Sequence, residues 1–120
     1  MEYVFVYGTL RQQGSNAWRM KKARFVCTAS ISGLLYQIDW YPGAISSADF
    51  RQRVLGEIYE IEPADLLELD DYEGPEYQRV RIETTTADGN HLGAWFWEYQ
   101  AQIPHDRIIP SGDWFSRPIS

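Results

Sequence analysis

At 120 residues, 44% hydrophobic and 15% aromatic, with five Trp and eight Tyr, the chain has the size and ring content of one ordinary domain spanning 1–120, which excludes a disordered polymer. Its formal charge of −6 is lopsided: residues 1–60 carry seven basic and five acidic side chains, residues 61–120 four and twelve, and such a face repels phosphate backbones, so no nucleic-acid partner is expected. The single Cys27 excludes an internal disulfide, no apolar run is long enough for a membrane span, and strand-like "EYVFVY" at the start leaves no room for a signal peptide, so a cytoplasmic protein without membrane contact is expected.

The first element is a strand at 3–7, "YVFVY", which stops at a glycine in "VYGTLRQQGS". A glycine after a strand lets the chain turn and expose consecutive backbone N–H groups, the makings of an anion cradle. The stretch is not a phosphate loop. The nucleotide pattern needs four residues between its glycines and then a lysine, whereas five separate Gly8 from Gly14 and Ser15 follows; the dinucleotide fingerprint lacks its second glycine at position 10. "WRMKKAR" at 18–24 has the spacing of a short exposed basic helix. "RFVCTASISGLLYQI" at 24–38 is long enough for two strands, or for one bulged at Gly33, and places Cys27 at a buried strand position. "WYPGA" at 40–44 reads as a turn through Pro42 and Gly43.

"VLGEIYEI" at 54–61 alternates as a strand with one buried face, which leaves Glu57 among the acids of a wet face. The period then changes. "EPADLLELDDYEG" offers Pro63 as a helix start, Leu66, Leu67 and Leu69 within one turn, and Gly74 as the residue beyond the end, which makes a short capped helix. "QRVRIETTT" at 78–86 and "HLGAWFWEY" at 91–99 pair as a hairpin across the Asp-Gly turn of "ADGN". The remainder to residue 120, with Pro104, Pro110, Gly112 and Pro118, is an irregular tail pinned by Ile108, Ile109, Trp114 and Phe115. Strands outnumber helices, which argues for an α+β protein built on a small mixed β-barrel with short flanking helices.

Absences remove whole reaction classes. His91 and His105 are the only histidines, no His or Cys has zinc-ligand spacing, and G-x-S-x-G does not occur, so a metal centre and a serine or cysteine triad are not expected. Between Val54 and Gln78 there is no Lys or Arg, while nine acids run from Glu57 to Glu76, most of them explained as wet faces. Glu73 differs in position. At the end of the helix, between Tyr72 and Gly74, the negative end of the helix dipole and the neighbouring Asp70 and Asp71 disfavour its ionised form, and a carboxyl tuned upward suits a general acid or base. From the residues alone a capping or solvated role for Glu73 stays open beside catalysis.

Taken together and in this order, "VYGTLR", "GEIYEI", "LDDYEG" and "YQR" resemble the gamma-glutamylcyclotransferase-like family, in particular its gamma-glutamylamine cyclotransferase and AIG2-like branch. The resemblance runs from residue 3 to about residue 99, with "YPGA" and "SGDW" similar to short bacterial members. It implies a small β-barrel with a cavity at one end and a small-molecule γ-glutamyl substrate. Backbone amides of Tyr7, Gly8, Thr9 and Leu10 would bind the glutamyl α-carboxylate, with the Tyr7 hydroxyl helping to stabilise developing charge, and Glu73 would be the essential acid. The implied reaction is closure of the α-amine onto the side-chain γ-carbonyl to give 5-oxoproline and a free amine, and it needs no cofactor and no metal. Strand alternation puts Tyr77 and Arg79 on one face, where both line the pocket or Arg79 pairs with the acidic helix. A catalytically silent relative that binds a small carboxylate or a protein partner is the alternative. The segments around 40–52 and 84–92 are short, which leaves the departing amine open, and the oligomeric state is open too.

Overall fold

A computed structural model of the chain describes residues 1–49, 51–103 and 105–117. The elements in chain order are β1 (Glu2–Val6), a 3-10 turn at Ala17–Met20, β2 (Arg24–Gln37), β3 (Pro42–Ser46), β4 (Arg53–Ile61), α1 (Asp65–Glu73), β5 (Tyr77–Thr86), β6 (His91–Tyr99), and 3-10 turns at His105–Arg107 and Trp114–Ser116. Strands β2, β4, β1, β6 and β5 follow one another side by side, and β5 returns to β2 through Ala29↔Thr86 and Ser30↔Thr85, which closes the barrel. All pairings are antiparallel except β1 with β6, so the barrel is mixed as expected. Closure removes free sheet edges, and β3 adds to the outer half of β2.

β1 is apolar through its centre because both of its faces are covered. Phe5 packs with Ile31, Val54, Ile58 and Phe96 in one buried cluster, while Val4 and Val6 join Leu66, Leu69 and Trp97 in a second. The second cluster seats α1 against the barrel. Of the three helix leucines, Leu66 and Leu69 are buried and Leu67 is exposed, as a helical period requires of neighbouring positions.

Several local expectations are corrected. The basic stretch forms helix only over Ala17–Met20; Lys21 and Lys22 follow it, and Arg24 is already the first residue of β2, paired with Glu60 of β4. β2 is one strand of 14 residues, and its bulge lies between Phe25 and Cys27, not at Gly33, which sits in register with Ser46 close to the Ile45 carbonyl. Cys27 is only partly buried. The turn expected through Pro42 and Gly43 is completed by residue 41, because both residues pair with β2 at the start of β3. The helix begins at Asp65, two residues after Pro63. In the tail Ile109 and Trp114 are buried and fix the chain, whereas Ile108 and Phe115 are exposed. The tail's Pro104 and residues 118–120 lie outside the described residues.

The hairpin turn and the helix end both use glycine at positive φ, Gly89 at +88° and Gly74 at +82°. Gly74, with ψ of −175°, occupies a region that side chains exclude, although a methyl group there would meet no atom within 4 Å. Gly74→Ala therefore tests backbone strain free of any clash. It should lower unfolding stability by about 1–3 kcal/mol, read from the midpoint of urea denaturation.

Candidate active site

"LDDYEG" distributes its side chains one task at a time. Leu69 enters the second core cluster. The Asp70 carboxylate accepts from Trp97 Nε1 at 2.8 Å and Arg79 Nε at 2.9 Å, both on the same oxygen, which clamps the last turn of α1 to the hairpin. Asp71 points to solvent. Tyr72 shares a 2.9 Å hydrogen bond between its hydroxyl and Thr9 Oγ1 and lies beneath the Arg19 guanidinium. Glu73 is left to face a cavity of about 230 Å³, and among the described residues its carboxyl has no hydrogen-bond partner. Gly74 ends the helix at once, so the peptide beyond turns away.

Burial in that cavity pushes the Glu73 carboxyl from its ordinary 4.5 up to about 8, with the negative charge of Asp70 adding to the effect. The expected direction is right, while the leading cause is desolvation; Asp71 plays no part.

The opposite wall is the end of β1 and the loop after it. Tyr7, Gly8, Thr9 and Leu10 all line the cavity, and among the described residues the N–H groups of Gly8, Thr9 and Leu10 have no acceptor. Unpaired, preorganised N–H donors beside a cavity are suited to an anion. The loop holds its shape through Arg11 N–H on the Gly8 carbonyl at 3.1 Å and Asn16 N–H on the Thr9 carbonyl at 2.9 Å. Gly14 is needed because a side chain there would strike the Thr9 carbonyl, and Gly8 because a Cβ would stand 2.5 Å from Pro42 Cγ. The Tyr7 hydroxyl is already committed: it donates to the Trp97 carbonyl at 2.7 Å and accepts from the Ala44 N–H at 3.2 Å. Its single proton is therefore unavailable to a ligand, which corrects the expectation that it steadies developing charge.

Tyr77 lines the cavity and donates to the Pro42 carbonyl at 2.5 Å. Arg79 does not line it. Its guanidinium pairs with Asp70 and covers the Trp95 ring at 4.6 Å, so of the two open readings the ion pair with the acidic helix is the one found. Its place in the site is indirect, through the clamp on α1.

Sequence reasoning missed the network that anchors the loop. Glu57, expected on a wet face, is 4% exposed; its carboxylate accepts from Arg11 Nε at 3.2 Å and from the Gln12 N–H at 2.8 Å. Arg11 also donates to Asp113 Oδ1 at 2.8 Å and stacks on Phe115. Burial of both β4 faces near the loop overrides the alternation from which the wet face was read. The available signal was an arginine directly after "YGTL" and an acid, Glu57, set between Gly56 and Ile58 in β4.

Against known proteins, the family profile described as "Gamma-glutamyl cyclotransferase, AIG2-like" matches residues 4–116. The chain belongs to this family. It is 37% identical over 117 residues to the "Gamma-glutamylcyclotransferase family protein YtfP" of Escherichia coli K12, covering 95% of this chain and 96% of that one. It is 36% identical over 109 residues to the "Gamma-L-glutamyl-butirosin B gamma-glutamyl cyclotransferase" of Niallia circulans, covering 82% of this chain and 66% of the other. In fold it is similar to the crystal structure of a mouse AIG2-like protein, with a TM-score of 0.77 at 24% identity, over 100% of this chain and 86% of the other. Family membership and barrel agree, and they support an enzyme of the gamma-glutamylcyclotransferase type. Among the described residues no group of three His, Cys, Asp or Glu side chains is placed to hold a metal ion, and no helix is long and apolar enough to cross a membrane.

The anchor makes a stability test. Arg11→Ala leaves Glu57 charged, buried and stripped of its guanidinium, which should cost about 3–5 kcal/mol in chemical denaturation. Replacing an exposed partner of Asp49, as in Arg51→Ala, should change stability by less than about 1 kcal/mol in the same measurement.

Proposed function

We propose that the protein is a γ-glutamyl cyclotransferase that converts a γ-glutamyl amide into 5-oxoproline and a free amine, with Glu73 as proton carrier. One observation carries the reading: an unpartnered carboxyl raised to about 8 and three unpaired backbone N–H groups share the walls of one cavity of about 230 Å³. A γ-glutamyl head group offers what those walls lack, an α-carboxylate for the N–H groups and an α-ammonium for the carboxyl.

The chemistry balances with these groups alone. The Glu73 carboxylate removes a proton from the α-ammonium, and the freed amine attacks the γ-carbonyl carbon. A new C–N bond closes the five-membered ring. As the tetrahedral intermediate collapses, the original C–N bond breaks and the Glu73 proton passes to the departing nitrogen; the carboxylate so restored takes the second proton shed by the ring nitrogen and hands it to the freed amine. No water is consumed, and the zwitterionic head group becomes the 5-oxoproline anion and an ammonium. Because nucleophile and electrophile belong to one molecule, holding it folded supplies a large part of the acceleration.

The direct test is release of 5-oxoproline from a γ-glutamyl amine. Glu73→Gln, which keeps shape and loses the basic lone pair, should cut turnover by about 10²- to 10⁴-fold. Undiminished turnover in that variant would remove Glu73 from the mechanism.

The raised carboxyl also sets the pH dependence. In the free enzyme the fraction of Glu73 ionised grows as pH rises through about 8, so kcat/KM should climb along a limb centred there. Stability should move the other way. The folded value lies above the ordinary 4.5, so the stabilisation from a protonated Glu73 is complete below that value and is lost as pH rises through about 8. Glu73→Gln does not titrate, so its melting temperature should exceed that of the native protein increasingly between those limits, as read by thermal denaturation at pH 4, 6 and 9.

A further inference from the structure

The cavity has a second stretch of wall whose chemistry the cyclisation does not use. The corner between β2 and β3 brings Trp40 and Tyr41 to it, and the turn after α1 brings Glu76. The Tyr41 hydroxyl donates to Glu76 Oε1 at 3.0 Å, which ties the two segments together and fixes the carboxylate. Among the described residues the other Glu76 oxygen has no partner. Burial, with the Glu76 bond, pushes the Tyr41 hydroxyl up to about 12, so it remains a donor across the ordinary pH range. Trp40 meets Tyr41 edge to face, with ring centres 5.1 Å apart and planes at 80°. It lines the cavity yet is 62% exposed, so this ring forms the rim.

The charged side chains that line the cavity are of one sign. Its walls contain Glu73 and Glu76 and, among the described residues, no Lys, Arg or His. Asp39 and Glu76 both act on the Tyr41 hydroxyl, and Glu73 and Glu98 on that of Tyr7. An anion therefore finds no cation in the walls, and the Gly8–Leu10 amides are taken by the α-carboxylate of the head group. A second carboxylate on the departing half would face Glu76 with no cation to meet it. A positive group there gains the carboxylate and the neighbourhood of two aromatic rings, which attract cations best when the ring is Trp. A hydrocarbon stem between the scissile amide and that charge would cover the exposed Trp40 ring.

We propose that Trp40, Tyr41 and Glu76 form a subsite for the departing half of the substrate and select amines that carry a second positive charge beyond an apolar stem. This rests on the cyclotransferase reading of the same cavity. It names Trp40 and Glu76 as specificity-determining residues with no part in the proton transfers.

Three γ-glutamyl amides of matched length test it: the mono-amides of 1,4-diaminobutane, n-pentylamine and 5-aminopentanoic acid, which end in an ammonium, a methyl and a carboxylate. Release of 5-oxoproline is followed with the native protein, and affinity for the same compounds is measured by calorimetry on Glu73→Gln, whose turnover is slow enough for binding to be read first. The expected order in kcat/KM and in affinity is ammonium, methyl, carboxylate, with about tenfold or more between the ends of the series. Glu76→Gln and Trp40→Ala should each draw the ammonium compound toward the methyl compound. Turnover of all three at equal kcat/KM overturns the subsite and leaves the cyclotransferase reading intact. An ordered series that both substitutions leave unchanged also overturns it. Failure of all three to release 5-oxoproline, with the affinity order kept, removes the reaction and upholds the subsite as a binding preference. Failure with no order in affinity removes both.

Discussion

A guanidinium with 11% of its side chain exposed holds the working face of this barrel together. Arg11 reaches Glu57 on β4 and Asp113 near the end of the chain, residues 46 and 102 positions away, and so binds the loop after β1 to two distant segments. The arrangement is expensive to desolvate and is repaid by geometry: Glu57 also takes the Gln12 N–H, so the loop is held by side chain and main chain at once. That hold matters because the loop's own amides stay unpaired. A loop that satisfied Gly8, Thr9 and Leu10 internally would be easier to fold and would have nothing to offer an anion.

Much of this was legible in the chain. The alternating runs mark the strands, the Asp-Gly pair marks the hairpin, and the change of period after Ile61 marks the helix, because each depends on side chains within a few positions. The end of the helix at Gly74 was legible for the same reason. The barrel and the family were legible through four motifs in order, and the position of Glu73 at the end of the helix through one of them. What was not legible was set by contacts distant in sequence. Glu57 looks solvated until β4 is seen to have both faces covered at that point, and the tail is what completes its surroundings. Gly33 and Pro42 look like a bulge and a turn until β3 is laid against β2.

Arg79 is the most instructive of these cases. Strand alternation correctly gives it the same side of β5 as Tyr77, yet only Tyr77 reaches the cavity. The difference is Asp70. A carboxylate on the last turn of α1 captures the guanidinium before it can extend toward the cavity, and the indole of Trp97 donates to the same oxygen. A period of two fixes which face a side chain leaves from; it does not say where a long flexible side chain ends.

Asp70 and Glu73 therefore divide between them two demands that one acid cannot meet. A carboxyl that clamps a helix is best paired with a cation and hydrogen-bonded, which holds it ionised and inert. A carboxyl that carries a proton near neutrality is best left unpaired in a poorly hydrated place, where ionisation is costly. They stand three positions apart on one helix, less than a full turn. The clamp's charge then acts on Glu73, adding to the burial that lifts its carboxyl to about 8. Structural anchoring and acid–base tuning are in this way one feature of the "LDDYEG" turn, because the residue that fixes where Glu73 stands also helps to set when it gives up its proton.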